Sequence, residues 1–289
     1  MEILEEEGII HRILFVIFNA ATKTMSRFIL ENSPLAIVLG QVSFSFAPEF
    51  NSCGDVLRMA FKNIGLPIVA RQQSTHFEHV SPQSPPRVEN QTIWMFTNPE
   101  KSCGVSIGPK HLAFVKSDYK SFPEFSEWVG RVTRVVEEKF PGTYFCNVGL
   151  RYVNAFSAEA IPSNYLVDSV RGISSEGIDT DHVHHKYEFW CTTKKGVLIS
   201  RCNLIHGGKV PAGLEIAANM YPARFLFESK DHVYLVDIFE NSNPLDPQRL
   251  LCENEVLGFF ADQHDTIETA FLNTLSTEGK EHFGWKQHS

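Results

Sequence analysis

The chain has 289 residues, a formal net charge of −8 at pH 7 and a hydrophobic fraction of 43%. A chain of this length can bury one large core, or two small intimate ones, without disulfide or metal support. The acidic balance argues against an extended nucleic-acid surface, which needs clustered Lys and Arg to displace counterions from phosphates.

The six cysteines are spread along the chain without a C-x-x-C pair. This spacing is too sparse for a small disulfide scaffold, so we expect reduced thiols that are mostly buried in strands. Reduced thiols are typical of a cytoplasmic protein. The cysteines are Cys53, Cys103, Cys146, Cys191, Cys202 and Cys252.

Residues 1–27 are interpreted as an N-terminal extension. Their apolar run over residues 13–18 resembles the apolar part of a signal peptide, but four glutamates precede it where a signal peptide carries positive charge. The run is also too short to span a bilayer, so no membrane association is expected. Two explanations stay open. Either the native chain starts at Met25, or the segment is an amphipathic helix that packs on the body or on a partner.

The first half, residues 28–142, is predicted to contain a strand, a short helix, a three-stranded antiparallel meander and a closing amphipathic helix. Val42 and Phe44 alternate with small polar residues in the first strand, and Ser121 with Glu124 forms a capping box at the closing helix. The predicted elements are a strand over 35–46, a helix over 54–64, a proline-rich loop over 81–86, strands over 92–97, 103–107 and 111–116, and a helix that begins after residue 121.

The second half, residues 143–289, repeats this order. Its predicted elements are strands over 144–156, 184–192, 196–205 and 232–239 and a long helix with the stripe Val256, Phe260, His264, Ile267, Phe271 and Leu275. His264 on this stripe is interpreted as a core residue rather than a catalyst. The predicted fold class is therefore α+β, with two similar halves packed as one body, each an antiparallel sheet backed by an amphipathic helix.

Gly104, Ser106 and Gly108 match the letters of the G-x-S-x-G nucleophile elbow of hydrolases. That motif requires its serine on a tight turn between a strand and a helix, with the hydroxyl exposed. Here Ser106 lies inside a predicted strand, and the turn after it leads to another strand. The pattern favours a structural serine over a hydrolase nucleophile.

The densest group of potential metal ligands lies at residues 179–185. On a strand, His182 and His184 would share one face as a chelating pair requires, and Asp181 with His206 could complete a metal site. The alternative is a polar loop that enters a strand with a solvated outer face. The sequence favours this alternative and leaves the metal site as a hypothesis.

Residues 149–154 place a charged guanidinium inside an apolar strand. Arg151 must face solvent or a cleft, or be buried with a carboxylate partner, because an unpaired buried charge is costly. Asp237, inside the equally apolar run 233–238, is the predicted partner. One interpretation is a structural ion pair between two strands. The other is a binding site, whose residues would be Arg151, Tyr152, Asn154 and Asp237.

Several of these segments also carry a family resemblance. They are Ser33-Pro34-Leu35, Gln41-Val42-Ser43-Phe44, Trp94-Met95-Phe96, Tyr119 with Phe122 and Phe125, Gly149-Leu150-Arg151-Tyr152-Val153-Asn154, Leu235-Val236-Asp237-Ile238, and the helix around His264 and Phe271. From about Phe28 to the last helix, the chain resembles a sporadically distributed bacterial family with a G-L-R-Y-x-N strand motif. The late strand of that family commonly reads Asp-Ile-Asp, whereas this chain has Phe239 in place of the second carboxylate. The family has no established activity, so the resemblance implies architecture rather than function.

The leading hypothesis is a non-catalytic binding or regulatory protein that acts through a protein partner or a small ligand held between the two halves. It rests on the abundance of aromatic residues, 23 Phe among them, and on the lack of an acid–base, nucleophile or metal constellation in the sequence. The first alternative is an enzyme of unknown reaction whose site would require the four residues around Arg151 to converge in one pocket. The second is a structural homo-oligomer with the long C-terminal helix as its interface. The sequence has no glycine-rich phosphate loop, and no cofactor is expected.

Overall fold

The computed structural model describes residues 28–30, 33–46, 54–78, 87–157, 163–171, 185–206 and 232–287. Three of the predictions concern residues outside these ranges. They are the predictions for the N-terminal extension before residue 28, for the proline-rich loop at 81–86, and for His182 and His184.

The described residues form twelve strands and five α-helices. The strands are β1 (Phe28–Leu30), β2 (Leu35–Phe46), β3 (Ile68–Glu78), β4 (Arg87–Thr97), β5 (Cys103–Gly108), β6 (His111–Lys116), β7 (Tyr144–Ser157), β8 (His185–Thr192), β9 (Gly196–His206), β10 (His232–Ser242), β11 (Arg249–Leu250) and β12 (Trp285–Gln287). The helices are α1 (Gly54–Asn63), α2 (Phe122–Lys139), α3 (Asp168–Arg171), α4 (Glu253–Thr274) and α5 (Thr277–His282). Of these helices, none has the length and apolar character needed to cross a membrane.

Ten strands form one antiparallel sheet, in the order β3-β4-β5-β6-β2-β7-β10-β9-β8, with β11 paired to the start of β7. A separate two-stranded ribbon joins β1 to β12. The strands of both predicted halves therefore lie in one sheet, because β2 pairs with β7 along almost its whole length. The expectation of a separate sheet in each half is corrected by this pairing. It satisfies the backbone groups that two separate sheets would leave open at their edges.

Outward from the central pair of β2 and β7, the strands follow a matching order on each side, except that β3 lies beyond β4 and has no counterpart beyond β8 among the described residues. β2 and β7 are the first long strands of the two halves. β6 lies next to β2 and β10 lies next to β7, and each is the last long strand before one of the two long helices. Farther from the centre follow β5 and β9, and then β4 and β8. The architecture is therefore mixed α+β.

Helix α2 begins where the sequence predicts it. The Ser121 hydroxyl accepts a hydrogen bond from the Glu124 N–H at 3.4 Å, and Pro123 lies in the first turn, where a helix needs no N–H donor. The helix ends at Lys139, and Gly142 takes a φ of 85° in the turn that follows.

Helices α2 and α4 cover one face of the sheet, and the main core lies between them and the strands. Phe260 of α4 packs edge-on against Phe114 of β6, with ring centroids 5.9 Å apart. Gly40 of β2 allows this close approach, because a Cβ there would lie 2.7 Å from the Phe260 ring. At the surface, the Arg134 guanidinium of α2 donates to the Glu253 carboxylate of α4, with a shortest distance of 2.6 Å.

A smaller apolar cluster lies on the opposite face of the sheet. Its members alternate along the strands with residues of the helix-covered face, as the pleat of a strand requires. They are Ile37, Val115, Val153, Val233 and Leu235. This alternation decides which of the predicted site residues share a face.

Candidate functional site

The four predicted binding residues divide between the two faces of the sheet. On β7, Tyr152 and Asn154 face the helices, whereas Arg151 faces the opposite side together with Val153. Asp237 on β10 is the register partner of Val153 and shares that opposite face. The four residues therefore lie two on each face of the sheet and do not converge in one pocket.

The predicted ion pair between Arg151 and Asp237 is confirmed. The Nε and Nη2 groups of Arg151 donate to the two carboxylate oxygens, each at 2.7 Å, and the Asp237 side chain is only 6% exposed. Arg201 lies 3.9 Å from the same carboxylate, and its Nε donates to Glu188 at 2.5 Å. Both guanidinium groups lie over the ring of Phe239. These contacts tie four strands together, as a structural ion pair would.

Tyr152 belongs to a buried hydrogen-bond chain on the helix-covered face. Its hydroxyl lies 2.8 Å from Nδ1 of His264 and 3.2 Å from the hydroxyl of Tyr119. The Phe122 ring stacks on the His264 imidazole, with centroids 4.1 Å apart. His264 is 3% exposed, which confirms it as a core residue, but its Nε2 has no hydrogen-bond partner among the described residues.

Burial shifts the pKa values of several groups around this chain. It lowers the pKa of His264 to about 4, so the imidazole is neutral at pH 7. Burial, followed by the nearby charge of Asp265, raises the pKa of Glu268 to about 7. Burial also raises the pKa of Tyr152 well above its usual range, and Tyr119 adds to this increase. A neutral imidazole and a carboxyl group that titrates near neutrality therefore lie one turn apart on α4.

The other predicted residues have structural environments. Asn154 is 3% exposed, and its amide donates to the carbonyl of Val236 at 3.3 Å. Ser106 is fully buried inside β5, 3.2 Å from Nε2 of His111, which confirms that it does not lie on a strand-to-helix turn. His206 ends β9, but its side chain lies outside the description. Among the described residues, no group of three or more His, Cys, Asp or Glu could hold a metal.

Sequence reasoning missed a groove between α4 and the sheet edge formed by β8, β9 and β10. Its larger cavity has a volume of about 660 Å³. Tyr187, Phe189 and Leu198 contribute from the strands, and Thr269 and Ala270 contribute from the helix. The groove exists because α4 packs on β7 and β10, near the centre of the sheet, and does not extend over the outer strand β8.

A smaller cavity of about 370 Å³ continues the groove toward the turn between β8 and β9. Thr193 and Thr266 line both cavities, so the two adjoin along α4. Lys195 and Asp262 lie at the rim of the smaller cavity and form an ion pair. The groove therefore has a wider end lined by aromatic, aliphatic and hydroxyl side chains together with Asp265 and Asn273, and a narrower end with four charged residues.

A close backbone approach positions the turn at this narrower end. A Cβ on Gly196 would lie 1.8 Å from the carbonyl oxygen of Asn241, so a side chain does not fit there. The N–H of Asn243 donates to the carbonyl of Lys195 at 2.8 Å, and the N–H of Gly196 donates to the Thr193 hydroxyl at 2.9 Å. The turn is thereby held against the end of β10.

Two buried side chains that line the smaller cavity each have one oxygen without a partner among the described residues. Glu240 is 2% exposed; its Oε1 accepts a hydrogen bond from the Thr193 hydroxyl at 2.5 Å, whereas its Oε2 is unpartnered. Gln263 is also 2% exposed; its Nε2 donates to the Val148 carbonyl at 2.9 Å, and its Oε1 is unpartnered. Buried acceptors without a donor are rare and unfavourable, which makes this cavity the strongest candidate site.

A signal for Glu240 and Gln263 was present in the sequence. Glu240 continues the alternation of Val236 and Ile238 and so falls at a core position of β10. Gln263 falls on the apolar stripe of α4, one turn after Phe260. A polar residue at a core position needs a partner, and this requirement was the available indication of a site.

Comparisons of the chain with protein-family models, with curated proteins and with solved structures find no match. The resemblance to a bacterial family therefore stays a prediction. Function has to be inferred from the geometry and chemistry of the groove itself.

Proposed function

We propose that the chain is a non-catalytic binding protein that holds a small organic ligand in the groove between α4 and strands β8 to β10. The observation that carries this proposal is the pair of adjoining cavities, of about 660 and 370 Å³, which share Thr193 and Thr266. Both volumes lie in the range of small-molecule sites. The lining combines aromatic, aliphatic and hydroxyl side chains with a few carboxylates and amides, and no group of three or more His, Cys, Asp or Glu among the described residues could hold a metal, so an organic molecule fits better than a metal ion.

The exposed apolar surface of the groove also supports a ligand. Phe189 is 46% exposed although it lies on the concave side of the groove. Covering such a ring with a ligand removes apolar area from water and is favourable. Ser200 and Thr269 provide hydroxyl groups that can orient a polar part of the same molecule.

Ligand-observed NMR with a library of small organic molecules tests the proposal. Thr269→Trp places an indole in the larger cavity from an exposed position, and Asn254→Trp places one at an exposed position of α4 that lines neither cavity. We expect saturation transfer to some compounds with the unmodified chain and with Asn254→Trp, and its loss with Thr269→Trp. Equal transfer with all three proteins, or none with any, would overturn the proposal.

A second candidate function is catalysis of a proton transfer at Tyr152, His264 and Glu268. It is favoured by the neutral imidazole, whose Nε2 has no partner among the described residues, and by the Glu268 pKa of about 7. The same NMR experiment separates the two functions. An enzyme would convert a compound over hours, and His264→Gln would abolish the conversion. A compound that binds and stays unchanged supports the binding protein.

A protein partner and a homo-oligomer are less favoured by the described surface. The apolar side chains of Val256, Phe260 and Ile267 on α4 are buried in the core of the chain itself. Phe189 and Trp190 on the edge strand β8 are 46% and 58% exposed and are the place where a protein partner would bind. Sedimentation velocity at high concentration is expected to show a monomer. A concentration-dependent dimer would favour the homo-oligomer.

We also infer that the two halves arose by internal duplication and that the protein works in the cytoplasm. The matching order of strands outward from β2 and from β7, with β3 as the exception, supports the duplication. Free thiols support a reducing compartment. These are Cys103, Cys146, Cys191, Cys202 and Cys252. Alkylation of the native protein without reductant, followed by mass spectrometry after unfolding, is expected to find no cystine.

A further inference from the structure

We propose that the smaller cavity binds a positively charged nitrogen group, an ammonium or a guanidinium, of the ligand that the groove holds. This inference rests on the proposed function, because it names the chemical class of that ligand. The unpartnered oxygens of Glu240 and Gln263 carry it.

Among the described residues, no cation pairs with the buried carboxylate of Glu240. In the strand register Glu240 lies opposite Leu150 and Leu198, so it faces the helix-covered side. Its only hydrogen-bond donor in the described part of the chain is the neutral hydroxyl of Thr193. A buried acidic side chain is normally paired with a positive group, and a ligand can supply that group here.

The amide of Gln263 adds a second acceptor of fixed orientation. Its Nε2 donates to the Val148 carbonyl, so rotation of the amide would set two oxygens against each other. The free atom is therefore the oxygen. Since the unpartnered atoms of Glu240 and Gln263 are both acceptors, a complementary group must donate at least two hydrogens. A carboxylate or a phosphate has the wrong charge and offers acceptors instead.

Neither lysine at the rim forms an ion pair with Glu240. Lys195 is paired with Asp262, and the Lys194 side chain is exposed. Lys194, Lys195, Glu240 and Asp262 are the charged residues of this cavity, and together they are neutral. A bound cation would lie deeper than the rim pair, where the low dielectric strengthens its attraction to the carboxylate.

The adjoining larger cavity defines the rest of the ligand. Its aromatic and aliphatic lining around Tyr187, Phe189 and Ala270 accommodates an apolar body attached to the nitrogen group. The shared residues Thr193 and Thr266 lie where the two parts of the molecule would join. The ligand class is therefore a small organic amine or guanidine with a partly apolar body.

Three compounds with one body and different head groups test this inference: 4-phenylbutylamine, 4-phenylbutanol and 4-phenylbutyrate. By isothermal titration calorimetry of the full-length chain at pH 7, we expect the amine to bind about tenfold tighter than the alcohol, and the carboxylate not to bind. Glu240→Gln retains an acceptor for Thr193 and should reduce the affinity for the amine to that for the alcohol. Glu127→Gln, the same replacement at an exposed position of α2 that lines neither cavity, should change neither affinity.

Equal affinities for the amine and the alcohol, or an amine affinity unaffected by Glu240→Gln, would overturn the assignment of a positively charged ligand group to the smaller cavity. The proposal that the groove binds a ligand would still stand. The comparison of head groups uses the unmodified chain, so it decides the question even when Glu240→Gln does not fold. Failure of all three compounds to bind also overturns the amine assignment. The library experiment with Thr269→Trp then decides the proposed function separately.

Discussion

Arg151 and Asp237 join two central strands through two hydrogen bonds of 2.7 Å. We expect Asp237→Asn to lower the free energy of unfolding by about 2–3 kcal/mol, because it removes the charge that compensates a mostly buried guanidinium. Urea denaturation measures this change. Glu253→Gln is the matched control, because the ion pair of Glu253 with Arg134 lies at the surface and is screened by solvent. A loss for Asp237→Asn no larger than that for Glu253→Gln would contradict the prediction.

His264 and Glu268 make the free energy of unfolding depend on pH in opposite directions. The folded-state pKa of Glu268 is raised from 4.5 to about 7, so its contribution is present below pH 4.5 and is lost as the pH rises through 7. The folded-state pKa of His264 is lowered from 6.5 to about 4, so its contribution is present above pH 6.5 and is lost as the pH falls through 4. Between pH 4.5 and 6.5, the slopes that these two groups give to the free energy of unfolding as a function of pH oppose each other in the unmodified chain.

Glu268→Gln removes one of these two slopes. We expect this variant to be as stable as the unmodified chain at pH 4 and more stable at pH 8 by about 1–2 kcal/mol, a value reduced for the partial exposure of the side chain. Chemical denaturation at both pH values measures the difference, and Glu127→Gln is the control at an exposed position of the neighbouring helix α2. A difference between Glu268→Gln and the unmodified chain that does not change with pH would show that Glu268 ionises normally in the fold.

The partner of Arg151 could be predicted from sequence because each residue of the pair interrupts an apolar run. Inside two strands, the two charges had to meet each other or face solvent. Glu240 and Gln263 are likewise polar residues at core positions, but the cavity that they line could not be predicted. It depends on how far α4 lies from β8, which is set by long-range packing rather than by local pattern.

At the scale of elements, we expect the same substitution at two glycines to change the free energy of unfolding in opposite directions. Gly40→Ala should lower the free energy of unfolding by about 1–3 kcal/mol, because a Cβ at 2.7 Å from Phe260 forces α4 away from the sheet. Gly258→Ala on α4 should raise it by about 0.5–1 kcal/mol, because its Cβ meets nothing within 4 Å and alanine favours a helix. Thermal and urea unfolding measure both changes. Effects of the same sign would contradict the close packing of α4.

Elements with a strong local pattern could be predicted closely. The first long strand was expected over 35–46 and is Leu35–Phe46, and the capping box correctly placed the start of α2. Strand β3 was missed because Ile68–Glu78 is an edge strand, with few apolar residues and no alternation to reveal it. The short helix α5 was missed because six residues carry too little periodicity.

At the scale of the whole molecule, the sequence predicted mixed α+β architecture but not the single sheet. The local order of strand, meander and helix predicts a separate sheet in each half, whereas the strands lie in one sheet. Pairing between β2 and β7 joins residues that are about a hundred or more positions apart, such as Leu35 and Asn154. No local pattern encodes such a pairing, whereas each strand signals its own existence.

The shared sheet predicts cooperative unfolding of the two halves. Since β2 and β7 pair at the centre and α2 packs on α4, neither half can open without exposing the core of the other. We expect urea unfolding curves from far-UV circular dichroism and from tryptophan fluorescence to coincide in one transition. Two separate transitions, or a stably folded fragment of residues 28–142, would contradict this expectation.

A crystal structure of the chain with bound 4-phenylbutylamine is the most direct test of the groove as the functional site. We expect the phenyl ring beside Phe189 and the amine nitrogen within about 3 Å of the free oxygens of Glu240 and Gln263. Ligand density outside the groove, for example beside Arg151 and Asp237 on the opposite face of the sheet, would contradict that assignment.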